Sequence, residues 1–452
     1  QASPGTTKSS AEQWGGASRE PSKMSNLFVL DRALAKKNVP GGLQQLRANS
    51  ALPRQARALA PLRDGNGRRL VTASGRELWG NLVYRSDWNG ETAEQGIYGF
   101  DTTSPAAQTA RYTQSGMQAN GKGSLFAGKL NLVNYKKTDY GLSVYFYQYD
   151  VKTWKKLKSQ TVYDDGVVAL ETATDQATGK VYGQFYNAGD AAVKELGVID
   201  YTGFAPKRTT ISTLAKTYVA LGITKEQKLY GVATDGNLYR IDTATGEETL
   251  VGATGVNVAY DEAGQYYLQS GEIDQETGVF YWAAVRADKS SALYTVDLQT
   301  GVASKVADFE HGEQFYDLYI PDAASAPAAP AAVTDAVASF PNGSLEGTIS
   351  FTAPEKSNAG GALDGELDYC VTVGRDTLAT GKAAPGARVE AAVTSPCDGK
   401  VLFTITTANS EGTSEKLRLE TFVGYDSPKK VTKLKFNIDN ATGLASVTWA
   451  AP

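Results

Sequence analysis

An all-β fold follows from three observations on the 452-residue sequence. Glycine and tyrosine are abundant, at 46 and 24 residues beside only 2 methionines, which favours strands joined by tight turns. The stretch Leu229–Gly252, LYGVATDGNLYRIDTATGEETLVG, alternates apolar and polar residues through Leu238-Tyr239-Arg240-Ile241, with hairpin turns at Asp235-Gly236 and Thr245-Gly246. The third observation is that this stretch recurs.

Five strand starts open on an aliphatic-aromatic pair, followed in four of them by a small residue: Leu78-Trp79-Gly80, Leu125-Phe126-Ala127-Gly128, Val181-Tyr182-Gly183, Leu229-Tyr230-Gly231 and Val279-Phe280-Tyr281-Trp282. Five later strands end in an aspartate, Asp101, Asp150, Asp200, Asp242 and Asp297, at spacings of 49, 50, 42 and 55. Periods of about 40–50 residues with several short strands each are those of β-propeller blades. The first unit lacks an inner strand before Arg76, and Phe315–Ile320 is a last strand with nothing after it. A late strand filling an early gap closes a ring and removes its edges. A propeller of about five blades is therefore expected over 70–322; six become possible if Tyr112–Tyr135 hides another unit. The Asp-x-x-Thr-Gly turns lack the dense carboxylate packing of a calcium loop, and are expected to be β-turns whose Asp accepts backbone N–H groups.

Length and charge set the outer limits. A chain this long exceeds one core, so two or three domains are expected. The net charge of −4, with no Lys/Arg block, disfavours a nucleic-acid partner. No apolar run approaches the roughly 18 residues of a membrane span. The start at Gln1 without an initiator Met fits a processed, exported chain or a trimmed one. The strand signal that ends at Trp449-Ala450-Ala451-Pro452 leads us to expect further C-terminal domains.

Residues 1–69 form a lead. The first 23 are polar; leucines then recur at helical spacing, predicting short helices over 26–37 and 43–48. A propeptide, a cap on the propeller and a flexible leader all fit this segment. Arg54, Arg57, Arg63, Arg68 and Arg69 are a processing site or a solvated linker. After the propeller, 323–331 is a stiff Pro/Ala linker. Sandwich-like strands follow: GTISFTAP (Gly347–Pro354), LDYCVTVGRD (Leu367–Asp376) and VLFTITTANSEGTSE (Val401–Glu415), then VTKLKFNIDNATGLASVTWAAP.

These segments resemble fibronectin type III domains, with SFTAP and VTWAAP in equivalent places and Ala408-Asn409 and Gly412 matching the family's strand end. The resemblance implies an immunoglobulin-like sandwich over 332–427 and the start of a second over 428–452. Phe351 stands where the family has Trp. Phe403 stands where it has Tyr, which removes the tyrosine-corner hydrogen bond. As a whole the chain looks like the large secreted surface proteins of Bacteroidales, which implies export to the cell surface or medium. Asp101-Thr102-Thr103, Asp242-Thr243-Ala244 and Asp376-Thr377-Leu378 resemble that group's O-glycosylation sites.

Cys370 and Cys397 lie 27 residues apart, without CxxC spacing. In a reducing cell they would be thiols; in an exported chain a disulfide is expected. The type III resemblance would place their strands side by side, bringing the two α-carbons within about 6 Å.

Chemistry is sparse. His311 is the sole histidine and has no nucleophile elbow beside it, so triads are restricted and zinc sites built on two or more histidines are excluded. No P-loop or Rossmann fingerprint occurs, and no cofactor, metal site or catalytic residue is assigned. Trp79, Trp88, Tyr186 and Trp282 could form a sugar-stacking platform, although Trp79 and Trp282 occupy strand positions suited to core packing. Trp88, in the loop SDWNGE, is the candidate ligand-binding residue. The expected function is a non-catalytic secreted or cell-surface binding or adhesion protein, with a carbohydrate or protein partner and type III modules as spacers. The alternatives are a carboxylate-dependent polysaccharide-active enzyme in the propeller funnel and a purely structural scaffold.

Overall fold

The computed structural model describes residues 75–450 apart from 89–93, 114–120, 139–140, 163–164, 188–189, 191, 260–267, 323–324, 426–431, 440 and 443. The N-terminal lead, with its expected helices and arginine cluster, lies outside the described residues. The chain divides into two compact units, one ending at Ala323 and the other running from Ala324 to Pro452. Both are β-structure; among the described residues the one helical element is a 3-10 turn at Asp165–Val167.

In the first unit, β1 (Glu77–Tyr84), β2 (Gly96–Asp101) and β3 (Thr109–Thr113) pair in order. The next sheet holds β4 (Gly121–Phe126), β5 (Lys129–Thr138), β6 (Gly141–Asp150) and β7 (Lys156–Val162). A third holds β8 (Ala169–Thr174), β9 (Val181–Tyr186), β10 (Lys194–Asp200) and β11 (Lys207–Leu214), joined to the second by the single pair Lys122↔Ala169. The fourth holds β12 (Tyr218–Ile223), β13 (Leu229–Ala233), β14 (Asn237–Ile241) and β15 (Glu248–Ala253). The fifth holds β16 (Ser270–Asp274), β17 (Val279–Val285), β18 (Ser291–Val296) and β19 (Ala303–Asp308).

β20 (Gln314–Tyr319) then returns to the first sheet, antiparallel to β1, pairing Trp79 with Tyr319 and Tyr84 with Gln314. It supplies the strand missing before Arg76. Residues 112–135 contribute the end of β3, β4 and the start of β5 to the first two sheets.

The first strands of the sheets pack side by side: β20 against β4 and β16, β4 against β8, and β12 against both β8 and β16. They form a closed ring. Burial follows from that position. β12 (YVALGI) and β20 (QFYDLY) are buried at every residue, whereas the outer strands β7 and β11 expose at least half of their positions. A strand covered on both faces needs apolar or bonded residues throughout. Tight approach also demands small residues: a Cβ on Gly222 would lie 2.6 Å from Ile273 Cγ1, and one on Gly271 2.7 Å from Ala220 Cβ. One strand start differs from expectation. Leu125-Phe126 ends β4, and Ala127 and Gly128, at φ of 51 and 72, turn the chain into β5. This pair closes the inner strand of its repeat rather than opening the next one.

Two of the sheets described in the second unit share a core. β21 (Thr334–Ser339), β22 (Glu346–Thr352) and β25 (Arg388–Thr394) form one. In the other, β23 (Leu367–Val373) lies between β24 (Asp376–Ala383) and β26 (Gly399–Asn409), which also pairs with β27 (Gly412–Thr413) and β28 (Leu417–Val423). Residues from both sheets build one core, including Ile349 and Phe351 from the first and Val371 and Phe403 from the second. Phe403 is fully buried and stacks on Phe340 at 5.5 Å, so its packing survives without a hydroxyl. A separate hairpin, β29 (Thr432–Asp439) with β30 (Leu444–Ala450), follows.

The expected disulfide is not formed: both cysteines are free, Cys370 half-buried and Cys397 exposed. β23 and β26 are indeed neighbours, but Cys370 lies opposite Thr406, whereas Cys397 precedes β26 altogether. Seven residues of strand lead from Thr406 back to Gly399, roughly 23 Å at about 3.3 Å per residue, and Cys397 lies beyond that in a bend. A bridge needs α-carbons within about 7 Å. Adjacent strands were the right inference; the register defeats the bond.

Two outcomes are expected. Native protein should take up two equivalents of an alkylating agent without reductant, Cys397 first, and replacing both cysteines by Ser should change stability by less than about 0.5 kcal/mol. Phe315 is fully buried between Phe100, at 5.3 Å, and Phe309, at 5.2 Å. Phe315→Ala should cost the first unit about 3–5 kcal/mol in denaturant unfolding and leave the second unit's transition in place.

Candidate functional site

The inner ring holds charge where its strands otherwise read as apolar. Lys122 on β4 is 2% exposed, and its Nζ lies 2.9 Å from Oε2 of Glu171 on β8, which is 1% exposed. The same ammonium donates to the Gln269 carbonyl at 3.1 Å and sits 4.7 Å from the centre of the Tyr316 ring. Glu171 Oε1 accepts from the Ser270 hydroxyl at 2.8 Å, and that oxygen accepts from Leu318 N at 3.1 Å. Asp317 Oδ2 accepts from Gly123 N at 2.6 Å and from the Tyr319 hydroxyl at 2.7 Å. The chain of bonds runs from β4 to β8, to β16, to β20 and back to β4.

Three carboxylates, those of Glu171, Glu272 and Asp317, thus share one dry region with one ammonium. They cannot all ionise there at modest cost. Burial pushes Glu171 up to about 8 against the opposing pull of Lys122, and Asp317 adds to the rise. Burial raises Glu272 well above the usual range although its Oε1 accepts from Ile273 N at 3.0 Å. Asp317 rises for the same reason, despite Lys122 and the Gly123 N–H. The group can store protons and tie strands together. Glu171 and Asp317 are closed off from any solute in this arrangement.

At the far end of β1 lies a second, exposed group. Arg85 donates to Asp87 at 3.0 and 2.9 Å, Ser86 N donates to the His311 carbonyl at 2.8 Å, and His311 Nε2 stands 3.8 Å from Asp87. Partial burial would raise the Asp87 carboxyl, but Arg85 and His311 outweigh it and hold the group below its ordinary range. Trp88 follows directly. It is half-buried, its ring 6.3 Å from Tyr98, and is therefore less exposed than its loop position implied.

The remaining expected aromatics do not join it in a solvent-facing platform. Trp282 is buried and donates to Gln269 Oε1 at 3.2 Å, and Tyr186 is buried beneath the Lys194 ammonium at 4.6 Å. Trp79 is half-buried at the opposite end of β1. The aspartate turns are self-satisfied: Asp242 Oδ1 accepts from Ala244 N at 2.9 Å and Thr245 N at 2.8 Å. Among the described residues no group of carboxylate, Cys and His side chains could hold a metal.

The sequence reading missed Lys122, Glu171, Glu272 and Asp317. The signal was present: Lys122, Glu171 and Asp317 are lone charges inside the short strands GKGSLF, ALETAT and QFYDLY, and Glu272 lies inside SGEID, whose other charge, Asp274, ends the strand. Their convergence needs the ring.

No protein-family model and no curated relative matches the chain. Similar solved structures are propeller-like. TolB from Acinetobacter baumannii is 13% identical, with a TM-score of 0.32 over 64% of this chain and 62% of that one. A hypothetical selenium-binding protein from Sulfolobus tokodaii is 12% identical, with a TM-score of 0.26 over 53% and 66%. A quinonprotein alcohol dehydrogenase-like protein from Bacteroides thetaiotaomicron is 12% identical, with a TM-score of 0.27 over 52% and 54%. This chain spans less than two thirds of the length of each. At these TM-scores the likeness carries no argument for function.

The buried acids make stability pH-dependent. Burial pushes the Glu171 carboxyl from its ordinary 4.5 up to about 8, so the fold prefers its protonated form. Its contribution is full below about 4.5 and is lost as pH rises to about 8. The first unit should therefore melt at a higher temperature at pH 5 than at pH 8, by about 2–4 °C for each kcal/mol lost. Glu272→Gln should match the parent at pH 5 and exceed it at pH 8. Parallel melting curves for parent and variant across this range would contradict the assignment.

Proposed function

We propose that the first unit is a five-bladed β-propeller, that the second is a fibronectin type III-like sandwich followed by the start of another, and that the chain is a non-catalytic binding protein displayed outside the cell. The blade count is supported by the five inner strands in one closed ring and by the pairing of β20 with β1. The type III reading is supported by two facing sheets with β23 beside β26 and by the buried Phe351 and Phe403. Such modules act as spacers that hold the propeller away from its anchor. Secretion or display on the outer surface rests on the resemblance in domain order.

The observation that carries the non-catalytic reading is the sealed state of the axial acids. A glycosidase needs two carboxyl groups open to substrate, about 5–9.5 Å apart. Here Glu171 and Asp317 are bonded to neighbouring strands and almost wholly buried. Recognition then belongs to the rim, with Trp88 beside Arg85, Asp87 and His311 as the ligand-contacting group.

Incubation of the whole chain with a panel of plant, algal and bacterial polysaccharides should release no new reducing ends or unsaturated products. Turnover that disappears in Glu171→Gln would overturn the reading. Fluorescently labelled chain should bind intact cells or their extracellular polymers saturably, and Trp88→Ala should weaken that binding at least about tenfold. Non-saturable binding indifferent to Trp88 would remove the rim as the recognition site.

A further inference from the structure

Four Asp-x-x-Thr turns end on a glycine in the left-handed region: Gly179 at φ 74, Gly246 at 74, Gly278 at 75 and Gly301 at 82. The corresponding turn between β6 and β7 is Asp150-Val151-Lys152-Thr153-Trp154. Asp150 Oδ1 accepts from Thr153 N and Thr153 Oγ1, each at 2.8 Å, so the turn is otherwise of the same kind. Trp154 nevertheless holds φ 54. A bulky residue is strained there where glycine is not, and such outliers persist when side-chain contacts over-determine them.

The contacts come from the first sheet. The Trp154 ring stacks on Tyr112 at 5.0 Å with 6° between planes, and lies 5.7 Å from Trp79. All three rings are half-buried: each packs on a core cluster that includes Leu130, Leu132 and Tyr149, and each leaves part of its aromatic surface open at the edge of that core. Polar groups edge them. Trp79 Nε1 donates to Glu77 Oε1 at 2.8 Å, and Arg111 pairs with the same carboxylate, both charged side chains being 40% exposed. The Lys156 ammonium stands 4.9 Å over Tyr147 on the adjoining strand.

We propose that Trp154, Tyr112 and Trp79, with Glu77 and Arg111, form a ledge that binds a neutral glycan. The rings offer flat apolar faces to pyranose C–H groups, and the carboxylate and guanidinium offer a matched acceptor and donor for hydroxyls. A nucleic acid would also stack on the rings, but it would meet Glu77 on a chain of net charge −4 without a basic groove. A shallow, open ledge suits a polymer lying across it better than a small molecule needing enclosure. The inference rests on the reading of the chain as a binding protein, and the ledge lies at the opposite end of β1 from Trp88.

The test uses the full chain with cellohexaose, maltohexaose and xylohexaose, followed by calorimetry and tryptophan fluorescence. At least one hexasaccharide should bind and change the fluorescence. Trp154→Gly, which restores the residue of the four related turns, and Tyr112→Ala should each weaken binding at least about tenfold with the first unit still folded by its melting curve. Phe204→Ala, at a solvent-facing turn of another sheet, controls for general surface effects. If no hexasaccharide binds, the ledge proposal fails, while saturable binding to cells still upholds the broader reading. Glycan binding that survives Trp154→Gly but is lost in Trp88→Ala moves recognition to the rim and overturns the ledge. A Trp154→Gly variant that only melts lower, with binding intact, makes the ring a packing wedge and likewise overturns it.

Discussion

The inner strands of the first unit are tied together by a buried polar knot. Lys122 and Glu171 meet at 2.9 Å with almost no access to water, and neither would be tolerable there alone. Ser270 and the backbone of Leu318 extend the knot to two further strands, and Gly123 N closes it through Asp317. Buried ion pairs are uncertain sources of stability but stringent about geometry, because a displaced partner leaves a charge without compensation. Neighbouring sheets also share apolar clusters along their middle strands, and such bonds fix the registration of their inner strands. β12, which supplies no charge to the knot, is registered instead by close packing of Gly222 and Ala220 against β16.

Ring closure is the second constraint. Without β20 the first sheet would expose the inner edge of β1, and β16 and β4 would lose the strand between them. The last strand of the unit therefore does three things at once. It caps an edge, it places Phe315 in an aromatic cluster with Phe100 and Phe309, and it carries Asp317 to the knot. Pairing between residues more than 200 positions apart is entropically slow to form, so closure is the natural last step of folding.

Away from the axis the demands change. Outer strands alternate or expose their residues, and the turns at their ends are stabilised locally by an aspartate that accepts the turn's own N–H groups. Such turns tolerate variation, and Trp154 in a glycine position is the sharpest instance. The second unit obeys the simpler rule of a two-sheet core, in which alternation along β25 separates buried Val389, Ala391 and Val393 from exposed neighbours.

The sequence by itself determined the local grammar. Alternation and turn residues marked the strands, the five spaced aspartates marked the ends of β2, β6, β10, β14 and β18, and the unpaired Phe315–Ile320 announced a strand in search of a partner. These are short-range signals, set by backbone preferences and by which faces are covered. What it left open were properties of register and convergence. The strand of Cys370 does lie beside β26, yet Cys370 faces Thr406 near one end of β26 while Cys397 precedes the other end, which keeps the thiols apart. Lys122, Glu171 and Asp317 looked like isolated charges because 49 and 146 residues of chain separate successive members of the group. Only a closed ring brings their strands to one axis, and only there does low dielectric turn three scattered side chains into one interacting group.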